Sequence, residues 1–182
     1  MTTTPLTPDD IDVEHLHGRR NTHRAMRMAV ADMLERLTWS RPDQEAIVAR
    51  PGAFASERFQ RLTYREADRL ANQVAHALLR AGLQRSDRVA MVCENSVEAV
   101  IAMFGIAKAG MVCAPINPLF HASVTQELLV RVGARFAIVD AELYPSCEPA
   151  FAAVGFVPQV SIPINGSPPE SSRSFEEWIE GS

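Results

Sequence analysis

The sequence predicts an α/β fold organised around a parallel β-sheet. Two short apolar runs, residues 88–93 and 111–115, flank a helical segment at residues 97–109 that is apolar or small at nearly every position. A helix that is apolar over most of its circumference must be covered on most sides. Two apolar strands joined through such a helix form a βαβ unit, in which the strands are parallel and the crossover is right-handed.

Residues with strong local preferences mark the limits of this unit. Asn95 and Ser96 supply helix-capping side chains, and Glu98 follows early enough to favour the positive end of the helix dipole. Gly110 ends the helix, because glycine adopts the left-handed conformation at low cost. Pro115 cannot donate a hydrogen bond to a neighbouring strand, so the second strand stops there.

Composition limits the class of protein. The 182 residues are 47% hydrophobic and 22% charged, which suits about one domain with a real core. A net charge of −4 gives no support to nucleic-acid binding, and no apolar run approaches the length of a membrane span. Three cysteines and no signal peptide predict reduced thiols, packed as small hydrophobic side chains in a cytoplasmic protein.

Residues 1–21 are predicted to form a flexible N-terminal leader, and residues 22–182 a single subdomain. Thr, Pro and Asp dominate the leader, which carries an acidic cluster. His15 and His17 could be half of a metal site, but no cysteine lies nearby and an alternating pair fits a solvated tail better.

Three elements are expected between the leader and the first helix with clear signals. Residues 23–37 place apolar side chains at helical spacing and predict an N-terminal helix that packs on the domain. Residues 45–49 and 58–62 predict two strands of a hairpin with a long loop.

The helix before the βαβ unit has a clear start and end. Thr63 and Glu66 have the spacing of a capping box, and Gly82 follows the last helical residues. His76 lies away from the apolar stripe and is predicted to be a surface residue. The stripe comprises Ala67, Leu70, Ala71, Val74, Ala75, Leu78 and Leu79.

The alternation of helices and strands continues beyond Pro118. Ser123 and Gln126 predict a second capping box, and Gly133 closes the helix that they begin. Residues 136–139 form another buried strand, which Asp140 ends.

The remaining elements are weaker. A short helix from about Glu142 and a strand at residues 156–162 complete the pattern. Residues 165–173 are polar and rich in proline, which is typical of a surface linker. Ser174 begins a last helical turn.

Motifs for phosphate or acyl chemistry are absent from the sequence. Glu94, Asn95 and Ser96 follow the first strand in place of a glycine-rich dinucleotide fingerprint, and neither a phosphate loop nor a Gly-x-Ser-x-Gly turn occurs. Asp140 could bind a ribose hydroxyl, but without a phosphate loop we interpret it as a strand terminator. Lys108, the one lysine, is better explained by its favourable position at a helix C-terminus. No catalytic, cofactor-binding or metal-binding residue is therefore assigned.

A set of short motifs nevertheless resembles the N-terminal part of the AMP-forming adenylating enzymes, which include acyl-CoA synthetases, firefly luciferases and nonribosomal adenylation domains. The resemblance runs from about residue 26 to 140, and the order and spacing of the motifs make it specific. The motifs are Leu62-Thr-Tyr-Arg-Glu66, Gly82-Leu, Asp87-Arg-Val-Ala90, Asn95-Ser with Glu98, Lys108-Ala-Gly110, Pro115-Ile-Asn-Pro118, Glu127-Leu, Gly133-Ala and Val139-Asp140.

The resemblance implies a fold and a function. It implies a partial, layered α/β subdomain of the large domain of an adenylating enzyme, in the acyl-CoA synthetase branch and with a role in fatty acid metabolism. Complete enzymes of this kind use ATP, Mg²⁺ and CoA to convert a carboxylate into an acyl-CoA, with release of AMP and pyrophosphate. In the family, the phosphate loop, the acidic residues and the catalytic lysine follow the matched region. We therefore expect a truncated chain that binds no cofactor and is inactive alone.

Two departures and one alternative accompany the resemblance. Leu119 stands where some relatives carry a basic residue near the CoA nucleotide, and His121 could replace that charge; Glu94 stands where proline is common. The alternative function is a non-enzymatic module that pairs with a complementary C-terminal half or a paralogue, or forms a homo-oligomer, because the family's sheets continue beyond the matched region.

Overall fold

The computed structural model of the chain describes residues 29–181, which form one five-stranded parallel sheet, one two-stranded antiparallel sheet and six α-helices. The strands are β1 (Glu45–Val48), β2 (Arg61–Thr63), β3 (Arg88–Val92), β4 (Val112–Pro115), β5 (Phe136–Asp140), β6 (Val160–Ile162) and β7 (Arg173–Ser174). The helices are α1 (Val30–Ser40), α2 (Tyr64–Arg80), α3 (Val97–Lys108), α4 (Ala122–Val132), α5 (Tyr144–Ala153) and α6 (Phe175–Glu180). The predicted leader, His15, His17 and the first residues of the predicted N-terminal helix lie outside this range.

The parallel sheet predicted from the βαβ unit is confirmed. Its strand order is β4-β3-β5-β6-β7, and every neighbouring pair is parallel. β3 therefore lies between β4 and β5, and its Val89 is opposite Cys113 of β4 on one side and Phe136 of β5 on the other. Because all these strands run the same way, the loops after β3 and β4 meet at one edge of the sheet.

Alternate residues of the strands face two separate hydrophobic cores. Val89 and Met91 of β3 belong to the larger core, which α1, α2, α3 and α6 cover. Ala90 and Val92 point to the other face and pack with α4 and α5. Successive side chains of a strand point to opposite faces of the sheet, and here both faces are buried. Most positions of these strands are therefore apolar, and the strands appear in the sequence as continuous apolar runs.

Helices α2 and α3 approach each other very closely at Gly105. A Cβ atom added at Gly105 would lie 2.4 Å from Cβ of Val74 and 2.8 Å from the carbonyl oxygen of Ala71. Real side chains do not tolerate such distances, so the packing of these helices requires glycine at this position.

The capping predictions had mixed outcomes. The Thr63 box is confirmed: Thr63 Oγ1 accepts a hydrogen bond from the Glu66 N–H, and the Glu66 carboxylate accepts one from the Thr63 N–H. The box at Ser123 is wrong, because the cap lies two residues earlier, at His121, whose Nδ1 accepts from the Ser123 N–H. Gly133 ends α4 in the left-handed conformation, as predicted.

Several predicted boundaries also shift. The second hairpin strand starts at Arg61, because Glu57–Phe59 form a 3-10 turn that buries Phe59 in the larger core. β6 is shorter than predicted, and β7 was not predicted at all. Leu79 is half exposed instead of facing inward. Among residues 29–181, no helix is both long and apolar enough to cross a membrane.

Candidate functional site

A polar cleft lies at the carboxyl edge of the parallel sheet, where ligands of α/β proteins commonly bind. Its volume is about 400 Å³. The residues that line it come from the β1–β2 loop, the β3–α3 loop and the segment after β4. They are Arg50, Gly52, Ala53, Cys93, Glu94, Asn95, Asn117, Pro118 and Leu119.

Glu98 fixes the loop that forms one wall of the cleft. Its carboxylate is buried, and Oε1 accepts a hydrogen bond of 2.7 Å from the Ala55 N–H. A second bond, of 3.0 Å, runs from the Val97 N–H to the carbonyl oxygen of Ala53. Burial raises the pKa of Glu98, and the hydrogen bond from Ala55 opposes that rise. Glu98 therefore positions this loop as well as lying in the first turn of α3.

The segment after β4 forms the opposite wall. The Ile116 N–H extends the sheet by donating to the Met91 carbonyl oxygen at 2.8 Å. Asn117 then turns the chain, since its Oδ1 accepts from the Leu119 N–H at 2.9 Å. This turn leaves Leu119 almost fully exposed at the rim.

Asp140 lies beneath the cleft and does not line it. It is fully buried at the end of β5, and its Oδ2 accepts a hydrogen bond of 2.6 Å from the Glu94 N–H. Within the described residues, its Oδ1 has no hydrogen-bond partner. Burial raises the pKa of Asp140 to about 7, and the Glu94 N–H opposes that rise. In this position the carboxylate does not reach a ligand hydroxyl, so the geometry does not favour the ribose interpretation.

Lys108 lies far from the cleft, at the other end of α3, and is committed to ion pairs. Its side chain is only 5% exposed, and Nζ donates a hydrogen bond of 2.7 Å to Glu35 of α1. Nζ also lies 2.9 Å from Oδ1 of Asp68 on α2, which makes a second ion pair. Lys108 thus joins three helices, and no phosphate-binding role is consistent with this arrangement.

The histidines and cysteines of the described region have structural surroundings. His76 is exposed, as predicted, and His121 caps α4. Burial raises the pKa of Cys113 and Cys147 to about 11, and raises that of Cys93 well above its usual range. None of the three cysteines forms a disulfide. A raised thiol pKa disfavours the thiolate, so these cysteines are poor nucleophiles.

The lining of the cleft carries polar groups of several kinds. Arg50 is the one cationic side chain among its lining residues, alongside the Glu94 carboxylate and the Asn95 and Asn117 amides. The described residues contain no group of three or more His, Cys, Asp or Glu that could hold a metal ion. These groups can hydrogen-bond a polar ligand.

Sequence reasoning missed the contacts that depend on distant parts of the chain. The partners of Glu98 and Lys108 lie 43 and 73 residues away along the sequence. The only local signal is that each charge stands in a helix that is otherwise almost entirely apolar, which indicates a buried partner without identifying it.

Comparisons with known proteins agree with this fold. The family model described as "AMP-binding enzyme" matches residues 34–177. A solved structure of the anthranilate CoA ligase AuaEII in complex with anthranoyl-AMP superposes with a TM-score of 0.75 at 28% identity. That match covers 85% of this chain and 28% of the ligase chain.

Two curated relatives come from different branches of enzymes. A medium/long-chain-fatty-acid–CoA/3-oxocholest-4-en-26-oate–CoA ligase of Mycobacterium tuberculosis is 34% identical over 93 residues, which are 51% of this chain and 16% of the relative. Phosphinothricin tripeptide synthetase PhsC of Streptomyces viridochromogenes is 31% identical over 121 residues, 66% of this chain and 10% of the relative. The chain therefore spans only a small part of the length of these relatives.

Proposed function

This chain belongs to the AMP-binding enzyme family, and from that premise we propose that it is the N-terminal scaffold of an acyl-CoA ligase. The enzyme to which it contributes would activate a carboxylate with ATP and Mg²⁺ and transfer the acyl group from AMP to CoA. The proposal includes a cytoplasmic location and a carboxylate of fatty acid metabolism as substrate.

The likeness to the anthranilate CoA ligase is the observation that carries this proposal. It extends over 85% of the chain at 28% identity, with a TM-score of 0.75. The relative from Mycobacterium tuberculosis, a fatty-acid–CoA ligase, supports the same branch. The peptide synthetase is the competing branch, with somewhat lower identity over a longer segment.

The described residues do not fit a magnesium-bound triphosphate by themselves. Leaving pyrophosphate requires several positive charges to stabilise it, and Arg50 is the one cation of the polar cleft. Lys108 is held by Glu35 and Asp68 at the opposite end of α3 from the cleft. We therefore propose that these 182 residues do not adenylate a carboxylate without further polypeptide.

Carboxylate-dependent exchange of labelled pyrophosphate into ATP tests this proposal. The purified 182-residue protein is expected to give no exchange above background with fatty acids or aryl carboxylates, while an intact acyl-CoA ligase in the same buffer gives a strong signal. A chimera that carries residues 29–181 in place of the corresponding region of that ligase is expected to recover exchange. Exchange by the 182-residue protein alone would contradict the proposal.

A second candidate function rests on one exposed surface. We call Val30 and Met33 of α1 together with Val100, Met103 and Phe104 of α3 the α1–α3 apolar face. Two adjoining apolar clefts of about 440 and 470 Å³ share Val30, Val100 and Phe104. β4, at the edge of the sheet, borders the same region. Contiguous exposed apolar surface of this kind is typical of a protein interface, which favours a module that pairs with a complementary half or with a second copy.

Sedimentation velocity with a matched pair of variants tests the pairing function. Met103 is 45% exposed on the α1–α3 apolar face, whereas Val130 is 66% exposed on α4, on the opposite side of the sheet. We expect Met103→Glu to abolish self-association or capture of a complementary C-terminal half, and Val130→Glu to leave it unchanged. A wild-type protein that stays monomeric and binds no such half would exclude this function.

A further inference from the structure

Asp140 is a buried carboxylate whose surroundings suit its neutral form better than its ionised form. One oxygen accepts the Glu94 N–H, and the other has no hydrogen-bond partner within residues 29–181. An ionised carboxylate can accept hydrogen bonds on both oxygens, so the ionised form leaves one of them unsatisfied in an interior position.

Burial raises the pKa of Asp140 by more than the Glu94 N–H and the weakly donating Cys93 thiol lower it. Cys93 faces it from the end of β3, Glu94 from the β3–α3 loop and Glu142 from the segment after β5, while β6 places Ile162 opposite it. Asp140 forms no ion pair in the described part of the chain. The nearest charges are therefore negative, and they oppose ionisation as burial does.

The hydrogen bond to Glu94 connects this carboxylate to the wall of the polar cleft. Glu94 and Asn95 line the cleft, and Ser96, the next residue, is buried and caps α3. Water can reach Asp140 only if the covering chain moves, and the Glu94 N–H bond must break when the β3–α3 loop moves away from β5.

We propose that Asp140 is a pH-sensitive latch that holds the β3–α3 loop against β5 while its carboxyl is neutral and releases the loop when the carboxyl is ionised. The neutral side chain can stay buried and hydrogen-bond the loop, because burying an uncharged carboxyl costs much less free energy than burying an ionised one. The ionised side chain is more stable in water, so deprotonation favours the open loop and changes one wall of the cleft. This inference does not depend on the proposed ligase function.

The expected size of the effect follows from proton linkage. Asp140 titrates near 7 when buried, against an ordinary value of 3.8 when hydrated. Between these values, each rise of one pH unit favours the hydrated, open loop by about tenfold. Above the higher value both forms are ionised, and the opening equilibrium no longer changes with pH.

Amide hydrogen exchange on the 182-residue protein measures this directly. After correction for the intrinsic exchange rate, the protection factor of the Glu94 N–H is expected to fall about tenfold per pH unit between about pH 5 and about pH 7, and then to level off. The Gln84 N–H is an internal control, because it donates to Asp87, whose pKa its hydrogen bond lowers, so that carboxylate stays ionised throughout. Its protection is expected to stay constant.

Asp140→Asn completes the test, because asparagine keeps an acceptor for Glu94 and cannot ionise. Loss of the pH dependence at Glu94 in this variant supports the latch, and its persistence would overturn it. If the variant does not fold, the wild-type protein decides: the carboxyl ¹³C resonance of Asp140 is expected to titrate with a midpoint near 7, and the fall in protection of the Glu94 N–H is expected to level off at that same pH. A midpoint in the ordinary aspartate range, or a constant protection factor at Glu94, would overturn the proposal.

Discussion

Replacing Lys108 with methionine is expected to destabilise the fold by about 2 to 4 kcal/mol. Lys108 joins α1, α2 and α3 through Glu35 and Asp68 while its own side chain is 5% exposed. Methionine retains much of the apolar stem, so the change removes mainly the charge and its hydrogen bond.

The magnitude depends on the exposure of the two carboxylates left behind. Removing one partner of a buried ion pair typically costs about 3 to 5 kcal/mol, because a buried charge remains uncompensated. Glu35 is 40% exposed and can turn toward water, whereas Asp68 is only 18% exposed and cannot. The expected cost therefore comes mainly from Asp68, and the freedom of Glu35 to reach water lowers it to about 2 to 4 kcal/mol.

Urea unfolding monitored by circular dichroism gives the free energy of unfolding for each variant. Arg131→Met is the matched control: Arg131 also pairs with a glutamate, Glu127, but both side chains are largely exposed, so a loss of about 0.5 kcal/mol or less is expected. Adding Asp68→Asn to Lys108→Met is expected to restore about half of the lost stability, because it removes the uncompensated charge.

The pH dependence provides an independent check on this ion pair. Burial lowers the pKa of Lys108, but the hydrogen bonds and charges of Glu35 and Asp68 outweigh burial and raise it above its ordinary 10.5. Because the pKa of Lys108 is higher in the folded protein than in the unfolded one, the ion pairs stabilise the fold fully at pH values below the unfolded pKa. This stabilisation is lost as pH rises through the folded pKa. The penalty of Lys108→Met is thus expected to be constant from neutral pH to mildly alkaline pH. Equal losses for Lys108→Met and Arg131→Met would refute the reasoning.

Three further perturbations test other parts of the fold. Gly105→Ala is expected to cost about 2 to 3 kcal/mol by calorimetry, because its Cβ would overlap Val74; a loss below that of an ordinary surface change would contradict the close α2–α3 contact. Thr63→Ala is expected to cost about 1 kcal/mol in urea unfolding. The Thr63 N–H and hydroxyl both lower the pKa of Glu66, and alanine removes only the hydroxyl, so part of that cost should disappear as pH falls through the folded pKa of Glu66. The three cysteines are expected to react slowly with Ellman's reagent until the protein unfolds, and rapid labelling of the native protein would contradict their raised pKa values.

The sequence predicts elements best where the decisive interactions are local. Ser96 caps α3 by accepting from the Ala99 N–H, and Gly110 follows that helix in the left-handed conformation, both within four residues of the helix they delimit. Thr63 and Glu66 form their box within a single turn. Signals of this kind need no tertiary information, which is why the βαβ unit and the helix before it are predicted correctly.

The misses arise where side chains compete or where the partner is distant. At α4, Ser123 Oγ contacts His121 Nδ1, and histidine takes the capping position that the serine was expected to fill. β7 contains two residues and forms only because β6 lies beside it. The positions of Asp140 and Glu98 relative to the cleft likewise depend on how loops from separate βα units meet, which no local pattern encodes.

The distribution of positive charge connects the fold to the proposed function. The sequence contains one lysine, and Lys108 is already neutralised by two carboxylates at the end of α3 that is remote from the cleft. Releasing it to neutralise a phosphate would leave Asp68 buried and uncompensated, at a cost of the same size as the loss expected for Lys108→Met. Arg50 is the one cationic side chain among the residues that line the cleft. A reaction that develops charge on pyrophosphate would need cations beyond the one that lines this cleft, which supports the proposed scaffolding role of the described fold.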